Sequence, residues 1–119
     1  MPNSEGYVQW VLEQLSGAGA VSARRMFGGI GLYRDGVFFA IISSDVLYFK
    51  AGEANRDDYA TRGMQQFQPF RAKPELSLNY YAVPADVLED QDECVHWVQR
   101  AVAAAVAAKK TPAKRRKAT

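Results

Sequence analysis

A cluster of three glycines, Gly28, Gly29 and Gly31, lies between strand-forming residues and most limits how this chain can fold. Glycine is used where the backbone must adopt positive φ or where another backbone comes close. Among apolar and aromatic neighbours, such a cluster predicts a kinked or bulged entry into a β-sheet. The residues that make up this expected structural motif are Met26, Phe27, Gly28, Gly29, Gly31 and Tyr33.

The same glycines also suggest a phosphate-binding loop, which is a different kind of site. Residues 27–31 lack the Lys-Ser/Thr ending of a P-loop and the full dinucleotide-binding pattern. A strand, and not a helix N-terminus, is predicted after them, so no helix dipole would face a bound anion. We therefore favour the structural role.

Length and composition indicate a soluble domain in a reducing compartment. A chain of 119 residues is long enough for one domain with its own core. Cys94 is the single cysteine and excludes an internal disulfide. The first residues lack a secretory signal, and no apolar run approaches the roughly 20 residues that span a bilayer. We expect a cytoplasmic protein without a membrane partner.

The net charge of +2 hides an acidic body and a basic tail. Residues 109–119 carry six basic and no acidic side chains, whereas residues 1–108 carry nine basic and 13 acidic ones. The tail has no apolar side chain larger than alanine with which to pack, so we expect a folded domain at 1–108 and a disordered basic tail at 109–119. The cationic residues of the tail are Lys109, Lys110, Lys114, Arg115, Arg116 and Lys117.

Apolar periodicity and turn residues divide the domain into helices and strands. Helical spacing predicts a first helix from Glu5 to Ser16, and Asp35-Gly36 is a strong hairpin signal. The remaining predicted helices are 55–62, a single turn at 84–88, and 91–108 with a capping box formed by Asp90 and Glu93. The predicted strands are an extended segment at 21–27, then 30–33, 37–42, 46–49, an edge strand within 67–70, and 76–83.

This order of elements predicts the fold class. We expect an α+β, two-layer domain in which an antiparallel β-sheet of about five strands packs with helices, in the order α-β-β-β-α-β-β-α. The aromatic residues of the strands are expected in the core and not on a nucleic-acid stacking surface, because few basic residues lie among them and the body is acidic.

A series of short motifs follows a characteristic order and spacing: Arg25 to Tyr33, Gly36, Phe39-Ala40, Leu47 to Lys50, Tyr80, Pro84, Leu88-Glu89-Asp90 and Trp97 before an alanine-rich helix. Together these motifs resemble the N-terminal domain of the TfoX/Sxy competence-regulator family over residues 5–108. The resemblance implies a bacterial protein with a two-layer α/β domain that helps to turn on DNA-uptake genes and has no known catalytic activity. The full-length regulators carry a second, C-terminal domain, and we expect this chain to lack it.

The residues themselves also argue against an enzyme. Cys94 and His96 are two apart on a predicted helix and do not share a face, so neither a metal site nor a Cys–His nucleophile is favoured. We expect a buried thiol at Cys94 and a solvated imidazole at His96. Asp57 and Asp58 are adjacent, so their carboxylates should point apart into solvent. We expect no catalytic residue, metal or cofactor.

Arg24 and Arg25 are the candidate partner surface. Adjacent residues of a strand point to opposite faces, so one arginine can pair with Asp45, Asp57 or Asp58 while the other faces a partner. The chain is therefore expected to be a non-enzymatic regulatory or interaction module that acts through protein–protein contacts. The partner is an unidentified protein, with the transcription machinery as a candidate, or a second copy packed on a free sheet face as a homodimer.

The alternative is a nucleic-acid-associated protein that binds DNA or RNA phosphates weakly and non-specifically through its tail. Six cations release at most about six counterions, so we expect the log–log slope of affinity against salt to be no steeper than about −5. Fluorescence anisotropy of a labelled duplex across a salt series measures the slope. Truncation after Ala108 should abolish binding, and unchanged affinity would rule out the tail as the binding element.

Overall fold

The computed structural model of the chain describes residues 5–26, 29–67 and 79–110, with the backbone alone at Met26, Lys109 and Lys110. The expected α+β class is confirmed. The helices are α1 (Glu5–Leu15), α2 (Arg56–Ala60), α3 (Ala85–Glu89) and α4 (Gln91–Lys110), and a 3₁₀ turn, Ser16–Ala18, follows α1. The strands are β1 (Val21–Met26), β2 (Gly29–Arg34), β3 (Val37–Ser43), β4 (Val46–Lys50) and β5 (Tyr80–Ala82). Among these helices none is long and apolar enough to cross a membrane.

The five strands form one antiparallel sheet in the order β1-β2-β3-β4-β5. The expected extended segment at 21–27 is a full strand, so four strands precede α2. In the described residues β5 alone follows it, and residues 68–78, which hold parts of two expected strands, lie outside them. Next to β5, the backbone N–H of Phe67 donates to the Tyr80 carbonyl at 2.7 Å.

Two tight turns set the register of the central strands. The predicted hairpin at Asp35-Gly36 is confirmed, with φ of 53° and 81° at its two turn residues. Ser44 and Asp45 join β3 to β4 with φ of 51° and 57°. Two-residue turns of this left-handed kind match the right-handed twist of the strands they connect.

The register gives the sheet two distinct faces. On what we call the first face, Leu32 lies opposite Ala40, which lies opposite Phe49. An irregularity in the pairing of β2 with β3 brings Phe39 to this face as well, with its ring 5.7 Å from that of Phe49. These side chains join one core with residues of the helices: Val11, Leu15, Val87, Leu88, Trp97, Val98 and Ala101.

The start of α4 forms the Asp90 half of the predicted capping box, whereas the backbone N–H of Asp90 donates to the Val87 carbonyl and not to Glu93. The Oδ1 atom of Asp90 accepts a hydrogen bond from the backbone N–H of Glu93 at 3.2 Å. A carboxylate at a helix start satisfies a free N–H group and interacts well with the helix dipole. Glu93 in turn accepts from the Trp97 indole Nε1 at 3.2 Å, which fixes a large core residue one turn later.

A buried asparagine organises the connection from β4 to α2. Asn55 is 2 % exposed, and its Oδ1 accepts from the backbone N–H of Gly52 at 2.7 Å. Its Nδ2 donates to the Lys50 carbonyl at 3.2 Å. The side chain therefore replaces backbone pairing at the end of β4.

Replacing Asn55 by alanine should lower the free energy of unfolding by about 2 kcal/mol, because two backbone groups lose their partner in a site that water reaches poorly. Urea denaturation followed by circular dichroism measures the change. Gln9→Ala on the exposed side of α1 is the control and should stay within about 0.5 kcal/mol of the wild type. An equal effect of both variants would contradict the role of Asn55.

Candidate interaction surface

The outer strand β1 is exposed along most of its length. Its consecutive residues Ser22, Ala23, Arg24 and Arg25 are all exposed, although successive side chains of a strand point to opposite faces. At the other edge of the sheet, the Ala82 N–H donates to the Gln65 carbonyl at 2.9 Å and residues 65–67 run beside β5. Within the described ranges, the sheet is therefore covered along β5 and open along β1.

The hairpin geometry shows which backbone groups point outward from β1. In a two-residue hairpin the flanking residues, Arg34 and Val37, exchange hydrogen bonds with each other. Tyr33 then directs its N–H and C=O toward β1, where it lies opposite Ser22. By alternation, Val21, Ala23 and Arg25 direct their N–H and C=O groups away from the sheet. We call this outer side of Val21–Met26, with the side chains of Arg24 and Arg25, the β1 edge.

Arg24 lies on what we call the second face of the sheet, opposite Gly31. Because Gly31 has no side chain, the guanidinium of Arg24 can cross it, and its Cζ lies 5.6 Å from the centre of the Tyr33 ring. Such a cation–π contact holds the charge in place while leaving the guanidinium N–H groups exposed. The glycine cluster thus contributes to the position of Arg24.

Arg25 points to the first face, opposite Ile30, so the prediction that the two arginines face opposite ways is confirmed. The expected alternative, a pairing of one of them with Asp45, Asp57 or Asp58, is not observed. The ion pairs seen in the described part of the chain include Arg34–Asp35, Arg62–Asp86 and Arg100–Asp58. Asp58 is therefore engaged by α4 and not by either arginine of β1.

The second face carries a row of aromatic rings, of which Tyr80 is buried, as expected for the aromatic residues of the strands, whereas Tyr33 and Phe38 are half-buried. The Phe38 ring lies 5.2 Å from Tyr33 and 5.8 Å from Tyr80, and the Lys50 Nζ lies 5.1 Å from the Tyr80 ring centre. Burial raises the pKa of Tyr80 to about 12 and lowers that of Lys50. Tyr48 and Lys50 are two apart in β4, so the alternation of side chains along a strand places both on the second face.

The residues considered for catalysis are separated. Cys94 is 1 % exposed and its Sγ lies 3.7 Å from the Gln14 carbonyl, whereas His96 is exposed on the other side of α4. Burial raises the pKa of the Cys94 thiol to about 11. A thiol in this state is a poor nucleophile at neutral pH. Among the described residues, no three potential metal ligands lie close together.

The glycine motif joins two strands and does not lead into a helix, as predicted. Met26, the last residue of β1, pairs with Gly29, the first residue of β2. Phe27 and Gly28 between them lie outside the described residues, and so do the tail residues Lys114, Arg115, Arg116 and Lys117. The backbone of Lys109 and Lys110 belongs to the last turn of α4, two residues beyond the expected end of that helix.

The family resemblance is supported by comparison with known proteins. The sequence model of the TfoX N-terminal domain matches residues 13–105, which include the end of α1, the whole five-stranded sheet and most of α4. The chain belongs to this family. No curated protein is significantly similar to this TfoX N-terminal domain.

Because the Cys94 thiol is buried, we expect the domain to become less stable as the pH rises into the alkaline range. Below pH 9 the thiol keeps its proton in both states, but between pH 9 and 11 it ionises first in the unfolded chain. The free energy of unfolding should therefore fall across this window, by about 3 kcal/mol for a shift of two pKa units. Urea denaturation at several pH values measures the slope. In the Cys94→Ala variant the free energy of unfolding should fall less steeply with pH, because only the buried tyrosines still contribute. Equal pH slopes for the variant and the wild type would contradict a buried thiol.

Proposed function

We propose that this TfoX N-terminal domain is a non-enzymatic regulatory module that binds another protein, and that the β1 edge is its binding surface. The exposure of consecutive residues on an outer strand is the observation that carries the proposal. Unpaired backbone donors and acceptors on such a strand attract other chains, so proteins usually cover or disrupt these edges. Here residues 65–67 cover the β5 side, while no strand among the described residues pairs with the outer side of β1.

The charge of the β1 edge supports recognition of a protein surface. Residues 1–108 hold nine basic and 13 acidic side chains, yet Arg24 and Arg25 put two positive charges at consecutive positions of this strand, one on each face. Arginine is enriched at interfaces because its flat guanidinium donates several hydrogen bonds and packs on aromatic rings. The cation–π contact of Arg24 with Tyr33 orders one of these groups in advance.

Membership of the family agrees with this proposal. The competence regulators that the chain resembles act on gene expression, and a non-enzymatic domain affects transcription by contacting other molecules. We therefore take a cytoplasmic protein of the transcription machinery as the partner class to be tested first.

We expect a double charge reversal, Arg24→Glu with Arg25→Glu, to abolish capture of the partner. The purified wild-type chain and the variants are immobilised, exposed to cytosol of the native organism treated with nuclease, and the retained proteins are quantified by mass spectrometry. Nuclease treatment removes proteins bridged by nucleic acid on the basic tail.

Arg56→Glu is the matched control, because Arg56 is an exposed arginine on α2, away from β1. It should retain the partner at the wild-type level, and both variants should keep the wild-type thermal midpoint. A partner retained equally by the double variant would contradict the assignment of the β1 edge.

A further inference from the structure

We infer that the partner adds an extended segment to the β1 edge as a further strand of the sheet, and that this segment carries two consecutive acidic residues. The inference rests on the proposed function, because it specifies the chemistry by which the proposed partner binds. Both the outward backbone groups and the placement of the two arginines lead to it.

The backbone of the β1 edge has the pattern that strand addition needs. Val21, Ala23 and Arg25 each offer an outward N–H and C=O, spaced two residues apart. An added strand has donors and acceptors at the same spacing, so its main chain can satisfy both kinds of group. Six residues of β1 provide a ladder of ordinary strand length.

The side chains add a charge pattern to this ladder. Arg24 lies on the second face and Arg25 on the first, so the two charges lie on opposite sides of any strand laid against β1. Consecutive residues of the added strand also alternate between faces, so two neighbouring acidic residues would each meet one arginine. A single acidic residue, or two separated by one position, would satisfy only one of the faces.

The same observations disfavour two other occupants. A second copy pairing through β1 would bring four arginines together along six residues, and like charges on paired strands repel. A nucleic acid presents mainly phosphate acceptors along its backbone, so it would leave the outward carbonyls of Val21, Ala23 and Arg25 without donors.

The test uses the whole chain, labelled with ¹⁵N, and the six-residue peptide Thr-Val-Glu-Glu-Val-Thr blocked at both ends. Hydrogen exchange followed by NMR should show slower exchange of the Val21, Ala23 and Arg25 amides when the peptide is added. The Ser22 and Arg24 amides already point to β2 and should change little. A peptide methylated on alternate backbone nitrogens should not bind, because it cannot form the ladder.

Two charge controls complete the design. A peptide with glutamines in place of both glutamates should bind about tenfold more weakly, and the double variant Arg24→Gln with Arg25→Gln should bind both peptides equally weakly. Arg56→Gln should behave as the wild type. A tenfold rise in salt should weaken the glutamate peptide and leave the glutamine peptide unchanged.

Four other outcomes would overturn either the inference or the proposed function on which it rests. Unchanged exchange at Val21, Ala23 and Arg25, while charge reversal still removes the cytosolic partner, would refute strand addition and leave the proposed function standing. Self-association of the Arg24→Gln, Arg25→Gln variant without any peptide effect would show that the arginines only protect the edge. Stronger slowing of the same amides by single-stranded DNA than by the peptide would assign the surface to nucleic acid. Alternating protection by the peptide without a charge-dependent cytosolic partner would support the strand chemistry and refute the proposed function.

Discussion

The pairing of Arg34 with Val37 across the Asp35-Gly36 turn determines the arrangement of the rest of the sheet. Side chains in a strand alternate with a period of two, so a slip by one residue would exchange the two faces. With this register, Leu32 enters the core and Tyr33 lies on the second face, where it meets Arg24. Through β2, the same turn determines which backbone groups of the neighbouring strand β1 point outward.

Much of the fold could be predicted from the sequence because its signals are local. The hairpin at Asp35-Gly36, the helix cap at Asp90 and the long alanine-rich helix each depend on residues within a few positions. The opposite directions of Arg24 and Arg25 also follow from strand geometry alone. The predicted separation of Cys94 and His96 follows from helix geometry in the same way.

The parts that could not be predicted depend on distant contacts. The irregular pairing near Leu32 brings Phe39 into the core and leaves Phe38 on the second face. The sequence alone does not distinguish these two adjacent phenylalanines. From the sequence, Asp58 was a candidate ion-pair partner for Arg24 or Arg25. In the folded domain, helix packing instead places Arg100 of α4 next to Asp58. Which strand lies at an accessible edge depends likewise on residues 65–67 returning beside β5. Such choices are made by tertiary structure, to which propensity contributes little.

The hydrogen bonds from residues 65–67 to β5 make the two ends of the sheet unequal. Fibres form when every subunit offers both a donor edge and a receptor edge, since each addition then creates a site for the next. With one side already occupied by its own chain, this sheet can grow in one direction only. Any association through β1 therefore stops after a single step, as a closed pair of fixed stoichiometry.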